Sequence, residues 1–110
     1  MFADDYQDEA MRTASRGTPR QDVIMAALGL NGEAGEVADL IKKWVGHGHP
    51  LDPDKLKEEL GDVLWYCALT CQAMGWKLGE VMQQNLTKLA RRYPDGFSTE
   101  ASLARMDKAS

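Results

Sequence analysis

The sequence Glu33-Ala-Gly-Glu36-Val37 returns 26 positions later as Glu59-Leu-Gly-Asp62-Val63. Each copy places two acids three residues apart, within a segment whose apolar residues recur at helical spacing. Residues three apart are neighbours on a helix surface, so each copy presents two carboxylates on one face. Two such helices side by side would bring four carboxylates together.

The first acid of each pair lies on the apolar side of its helix. Glu33 and Glu59 fall inside the apolar arc, whereas Glu36 and Asp62 lie at its edge. A single E-x-x-E pair is usually a solvated face, but a buried, unpaired carboxylate is very costly. The repeated pattern therefore favours convergence of Glu33, Glu36, Glu59 and Asp62 on a hard divalent cation with oxygen ligands.

Length and composition favour one globular domain over residues 1–110 with a modest core, since 44% of the 110 residues are hydrophobic. The net charge of −4 offers no basic surface for nucleic acid. No apolar run approaches the roughly 20 residues of a membrane span. Residues 1–5 lack the features of a signal peptide, so a cytoplasmic location without a membrane partner is expected.

Capping signals predict an all-α, four-helix bundle-like chain. Helices are expected over about 5–15, 18–45, 52–75 and 78–93, with a core at 18–97 and a polar tail at 98–110. Thr18-Pro19 and Asp52-Pro53 are helix starts, and Pro94 follows a helix end. No segment shows the alternation of apolar and polar residues that is typical of a β-strand.

The third helix has a further set of residues that predicts a subunit interface. Gly61, Trp65 and Ala68 are expected on the side opposite the acids. A second buried side in so small a chain favours a homo-oligomer. The alternative is that the N-terminal helix covers Trp65.

Asn85, Lys88 and Arg92 share one face of the fourth helix. Lysine, arginine and an amide suit anionic oxygens, and arginine can bind phosphate through two hydrogen bonds. The alternative is a solvated basic stripe near a helix C-terminus, where the helix dipole favours cations. Together with a metal site, the first interpretation predicts phosphoryl chemistry.

Other classes of site are disfavoured by what the sequence lacks. Neither acid helix contains the Glu-x-x-His of di-iron bundles, which favours magnesium or manganese over iron. There is no G-K-[ST] phosphate loop and no convincing nucleophile set. Cys67 and Cys71 have no further soft ligands at zinc spacing, and reduced core thiols are expected.

These motifs resemble the MazG-like branch of the all-α nucleoside triphosphate pyrophosphohydrolases. That family combines E-x-x-E, E-x-x-D and N-x-x-K-x-x-x-R in this order, and the likeness extends over about residues 18–97. The matching residues are Glu33, Glu36, Glu59, Asp62, Asn85, Lys88 and Arg92. One departure is Gly32, where many relatives carry another Glu, which leaves one fewer charge at the site.

The resemblance implies hydrolysis of (d)NTPs between the α and β phosphates, Mg²⁺ (or Mn²⁺) as cofactor, and a homodimer or dimer of dimers. Lys55 matches a position that is functional in some relatives. We expect Glu36 to accept the proton of the attacking water, and Lys88 and Arg92 to stabilise the leaving pyrophosphate. Candidate substrate contacts are Asn85, Lys88, Arg92, Lys55, Trp44 and Asn31.

Two alternatives remain open from the sequence. The chain could be a non-catalytic helical module that senses nucleotides, although intact acids argue against this. It could also hydrolyse another phosphate anhydride, such as an alarmone, rather than remove ordinary nucleotides from the pool in a house-cleaning role.

Overall fold

The computed structural model describes residues 1–104, and every regular element in that range is an α-helix. The elements are α1 (Ala3–Met11), α2 (Pro19–His47), α3 (Pro53–Met74), α4 (Leu78–Arg92) and α5 (Thr99–Ala104). The all-α prediction is confirmed. The expected tail contains α5, and its last six residues, 105–110, lie outside the described range. Within that range, no helix is long and apolar enough to cross a membrane.

The helix boundaries follow the predicted signals. Gln21 donates its backbone N–H to the Thr18 hydroxyl at 3.2 Å, and the Gln21 side chain accepts the Thr18 N–H at 2.9 Å. Gly48 and Gly75 end α2 and α3 in left-handed conformations, with φ of 70° and 74°, which glycine adopts without steric cost. The first helix departs from prediction, because it ends at Met11 rather than near residue 15.

The chain forms two compact units. The first covers Met1–Leu78, in which α2 packs along α3 and α1 packs against α3. The second begins at Gly79 and contains most of α4 together with α5. The expectation of one domain over residues 1–110 stays a prediction.

Small side chains form much of the core of the first unit. Ala26 of α2 and Ala68 of α3 are completely buried, and side chains of this size let two helices approach closely. Cys71 is buried and Cys67 half-buried, both as free thiols, and burial raises the pKa of Cys67. The small side chains therefore allow α2 and α3, which carry the acids, to pack closely.

A buried amide fixes α1 to the far end of α3. The Gln7 side chain donates to Gln72 Oε1 at 2.9 Å and to the Trp76 carbonyl at 3.0 Å. It also accepts the Leu78 N–H at 2.6 Å. Because a buried amide without partners is costly, these bonds hold α1 against the turn that leads into α4.

Candidate metal centre

Three of the four predicted acids converge where α2 and α3 face each other. One carboxylate oxygen each from Glu33, Glu59 and Asp62 lies within 4.8 Å of the other two. Glu59 is 6% exposed, and the other two are half-buried. Three hard oxygen donors at this spacing fit a divalent cation such as Mg²⁺.

The register of the two helices is set one turn away from the acids. The Tyr66 ring lies directly on Gly29, where a Cβ atom would overlap it. Gly29 precedes Glu33 by four residues, and Tyr66 follows Asp62 by four. In an antiparallel pair, this contact places Glu33 at the level of Asp62. The glycine is required here because its missing side chain leaves room for an aromatic ring.

The converging acids repel one another and raise the pKa of one of them. The pKa of Glu33 is raised to about 7, chiefly by a hydrogen bond with Glu59, then by burial and by the charges of Glu59, Asp62 and Glu36. The pKa of Glu59 is lowered, because Glu33 and Lys55 both hydrogen-bond to it. The protonated Glu33 carboxyl thus donates to the Glu59 carboxylate. A divalent cation bound between these carboxylates would neutralise their charge more completely than the proton on Glu33 does.

A lysine already touches the most buried acid. Lys55 Nζ lies 3.1 Å from Glu59 Oε1 and 3.8 Å from Glu58 Oε2. The Lys55 side chain is 46% exposed, whereas that of Glu59 is 7% exposed. The ammonium therefore reaches the acid cluster from solvent.

Two aromatic residues continue the site beyond the acids. Glu33, Asp62, Trp65 and Tyr66 line a cavity of about 310 Å³. The two rings meet edge to face, with centroids 5.0 Å apart and planes at 84°. The cavity thus joins carboxylates to flat apolar surface, which is a combination that accommodates both a cation and a planar ring.

The prediction that Trp65 lies opposite the acids was wrong. It lines the cavity with Asp62, from which it is separated by three residues and hence by less than one turn. Its indole N–H donates to Thr13 Oγ1 at 2.9 Å and to the Ala10 carbonyl at 3.2 Å. The N-terminal helix and the turn after it therefore cover Trp65, and Ala68 is buried within the chain.

Three other predicted residues of α2 lie outside the cluster. Glu36 is exposed and absent from the converging set, although its charge helps to raise the pKa of Glu33. Asn31 and Trp44 are exposed and do not line the cavity. Trp44 follows Glu33 by eleven residues, about 16 Å along a helix.

The predicted phosphate-binding residues lie on α4, in the second unit. Asn85 and Lys88 are exposed and Arg92 is half-buried in the last turn. Their spacing of three and seven residues places them on one face of the observed helix. Their contact with phosphate stays a prediction.

Sequence reasoning missed Tyr66 and the true place of Trp65. Both follow Asp62 by a spacing of three or four, so they share its face of α3. Gly29 stands in the same relation before Glu33. All three could have been found by examining the residues three or four positions from each predicted metal ligand.

Residues 21–97 match the sequence profile of the MazG nucleotide pyrophosphohydrolase domain. The chain belongs to the MazG family. The predicted resemblance to the MazG family is confirmed, and the matched segment contains both acid motifs and the predicted basic face of α4. Gene 37 protein of Mycobacterium phage L5 is 40% identical over 105 residues, covering 87% of this chain and 92% of the phage protein. No solved structure gives a significant match to this MazG domain.

Proposed function

We propose that this chain is a metal-dependent nucleoside triphosphate pyrophosphohydrolase, which cleaves (d)NTPs between the α and β phosphates to (d)NMP and pyrophosphate. The observation that carries the proposal is the convergence of Glu33, Glu59 and Asp62 inside a MazG domain. A nucleotide-pool house-cleaning role agrees with this activity.

The proposed ligands of Mg²⁺, or Mn²⁺ in its place, are Glu33, Glu59 and Asp62, joined by Glu36. When bound, the ion would neutralise phosphate charge and lower the pKa of water at the site. Glu33 would lose its proton to become a ligand, since a protonated carboxyl is a poor donor to a cation. Glu36 is the proposed general base. Its exposure leaves its carboxylate accessible to water, and its effect on Glu33 indicates that it lies near the cluster.

The basic residues are assigned to the triphosphate. Lys88 and Arg92 would stabilise charge on the leaving pyrophosphate, with Asn85 as an amide donor beside them. Lys55 is a further proposed phosphate contact from α3. Support comes from their residue types and from a family match that spans all four.

Base and sugar contacts are proposed for Asn31 and Trp44, both of which are exposed on α2. Trp65 and Tyr66 offer a second surface, because they line the cavity next to the acids. A nucleobase stacks on aromatic rings of this kind.

We also propose that the functional form is a homodimer or a dimer of dimers. The support is a set of large apolar side chains that remain half or more exposed in one chain, among them Met25 (61%), Leu28 (66%) and Leu64 (53%). A second copy would bury them. Light scattering at micromolar concentration should give a multiple of 12.2 kDa, and a monomer with full activity would contradict the proposal.

Product analysis tests the reaction itself. The purified chain is incubated with Mg²⁺ and a panel of NTPs, dNTPs and a guanosine alarmone, and products are separated by ion-exchange chromatography. Monophosphate and pyrophosphate are expected, with no turnover in Glu59→Gln. Diphosphate and phosphate, or turnover of the alarmone alone, would overturn the assignment, and nucleotide binding without turnover would indicate a sensor.

A further inference from the structure

Lys55 forms an ion pair with Glu59 although its position in the first turn of α3 is unfavourable for a cation. It is the third residue of α3 and lies three residues after the N-cap Asp52, whose carboxylate accepts the Lys55 N–H at 3.1 Å. The positive end of the helix dipole lies there, so a cation is disfavoured. Lysine four residues before a glutamate is also the weaker order for a helical ion pair.

The acid cluster accounts for the contact. Lys55 Nζ approaches Glu59 Oε1 to 3.1 Å, closer than the more exposed Glu58 at 3.8 Å. Glu59 in turn lies beside the carboxylates of Glu33 and Asp62. Several negative charges thus attract one ammonium that the helix start alone would leave in solvent.

We propose that Lys55 is a positioning residue that stands in for the cation: it holds Glu59 while the site contains no metal and leaves when a divalent ion binds. This inference rests on the proposed function for its second half, in which the released ammonium turns to the substrate triphosphate. The half-exposed side chain of Lys55 is free to make this exchange on the solvent side. One lysine therefore serves two partners in succession.

Charge balance supplies the reason for the exchange. Lys55 compensates part of the charge of Glu59 and Asp62 in the metal-free protein. An ion with two positive charges at the same oxygens would compensate more of that charge and weaken the attraction on the ammonium. A nucleotide triphosphate arriving at the metal then offers Lys55 new negative oxygens.

Metal binding without nucleotide tests the first half. Free Mn²⁺ is measured by electron paramagnetic resonance with the full chain and with Lys55→Met, Lys55→Gln and Lys55→Arg. Loss of the competing charge should tighten Mn²⁺ binding by about three- to tenfold in the first two variants. Lys55→Arg keeps the charge and should bind like the unmodified protein.

Lys57→Met is the matched control, because it makes the same charge change on an exposed residue of the same helix. Two positions further along, it lies on nearly the opposite side of α3. Its Mn²⁺ affinity should change by less than about twofold. Unchanged or weaker binding in Lys55→Met, or equal tightening in Lys57→Met, would overturn the proposal.

Kinetics at saturating Mg²⁺ test the second half. Lys55→Met should raise KM for the nucleotide by at least about tenfold, the opposite direction from its effect on metal affinity. A residue with a merely structural role would not produce opposite signs. An unchanged KM would refute the transfer of Lys55 to phosphate. Absence of turnover in the unmodified chain would refute the proposed function, while the Mn²⁺ measurements would still decide the first half.

Discussion

The two acid motifs have the same spacing but unequal surroundings. In α3, Glu59 and Asp62 both join the cluster, and Glu59 is almost fully buried. In α2, Glu33 joins them while Glu36 remains exposed. Spacing decides which residues share a face, whereas the packing of the neighbouring helix decides how deep each one lies. The asymmetry groups Glu33 with the α3 pair as the proposed metal ligands and leaves Glu36 as the more accessible carboxylate, which we propose as the base.

The largest expected effect separates Glu59 from Glu36. Glu59→Gln should reduce turnover by a factor of about a thousand or more and weaken Mn²⁺ binding, because it removes a buried anionic ligand. Glu36→Gln should lower kcat while Mn²⁺ affinity changes far less. Steady-state kinetics and Mn²⁺ titration of both variants make the comparison. Equal loss of metal affinity in the two would mean that both motifs serve as ligands alike.

The next prediction compares the acid motifs with the basic face of α4. Lys88→Ala and Arg92→Ala should lower kcat/KM by about ten- to a thousandfold, which corresponds to about 1.5–4 kcal/mol of transition-state stabilisation. Mn²⁺ affinity without nucleotide should stay unchanged in both. A lower melting temperature with normal kinetics would instead support the solvated basic stripe.

Helices, caps and the identity of the acids were predictable because they depend on residues close in sequence. Thr18 and Asp52 act through neighbours three residues away, and the acid spacing needs only helical geometry. The position of Trp65 was not predictable in this way, since its indole N–H finds partners in and after α1, more than 50 residues away. Glu36 and Asp62 were both predicted at the edge of an apolar arc, and the difference in their exposure depends on how the two helices pack. Contacts between segments that are distant in sequence decide how deeply a side chain is buried, and hydrophobic periodicity does not predict those contacts.

A glycine pair on α2 tests whether register holds the cluster together. Gly29→Ala puts a methyl group into the Tyr66 ring and should cost about 1–3 kcal/mol of stability, with a large loss of Mn²⁺ affinity. Gly32→Ala is the control, because a Cβ there meets nothing within 4 Å, and it should stabilise the helix by up to about 1 kcal/mol.

Adding Tyr66→Ala to Gly29→Ala removes the overlap and should recover part of the metal affinity. Thermal unfolding and Mn²⁺ titration of the single and double variants give the answer. Normal metal binding in Gly29→Ala would show that α2 and α3 can shift to accommodate the methyl group. The close contact between Gly29 and Tyr66 would then not be what aligns the acids.

The smallest expected effect is a pH dependence that belongs to Glu33 and not to Glu59. The pKa of Glu33 is raised to about 7 from an ordinary value of 4.5, so between these values the folded chain binds more protons than the unfolded chain. Stability of the metal-free protein should therefore fall as pH rises from about 4.5 to 7 and then level off. Metal binding runs the other way, because the cation must displace this proton, so Mn²⁺ affinity should rise towards pH 7 and flatten above it. Glu33→Gln removes the titrating group, and its unfolding free energy and Mn²⁺ affinity should both lose this slope. If the slope persists in Glu33→Gln, the group that titrates is another member of the cluster.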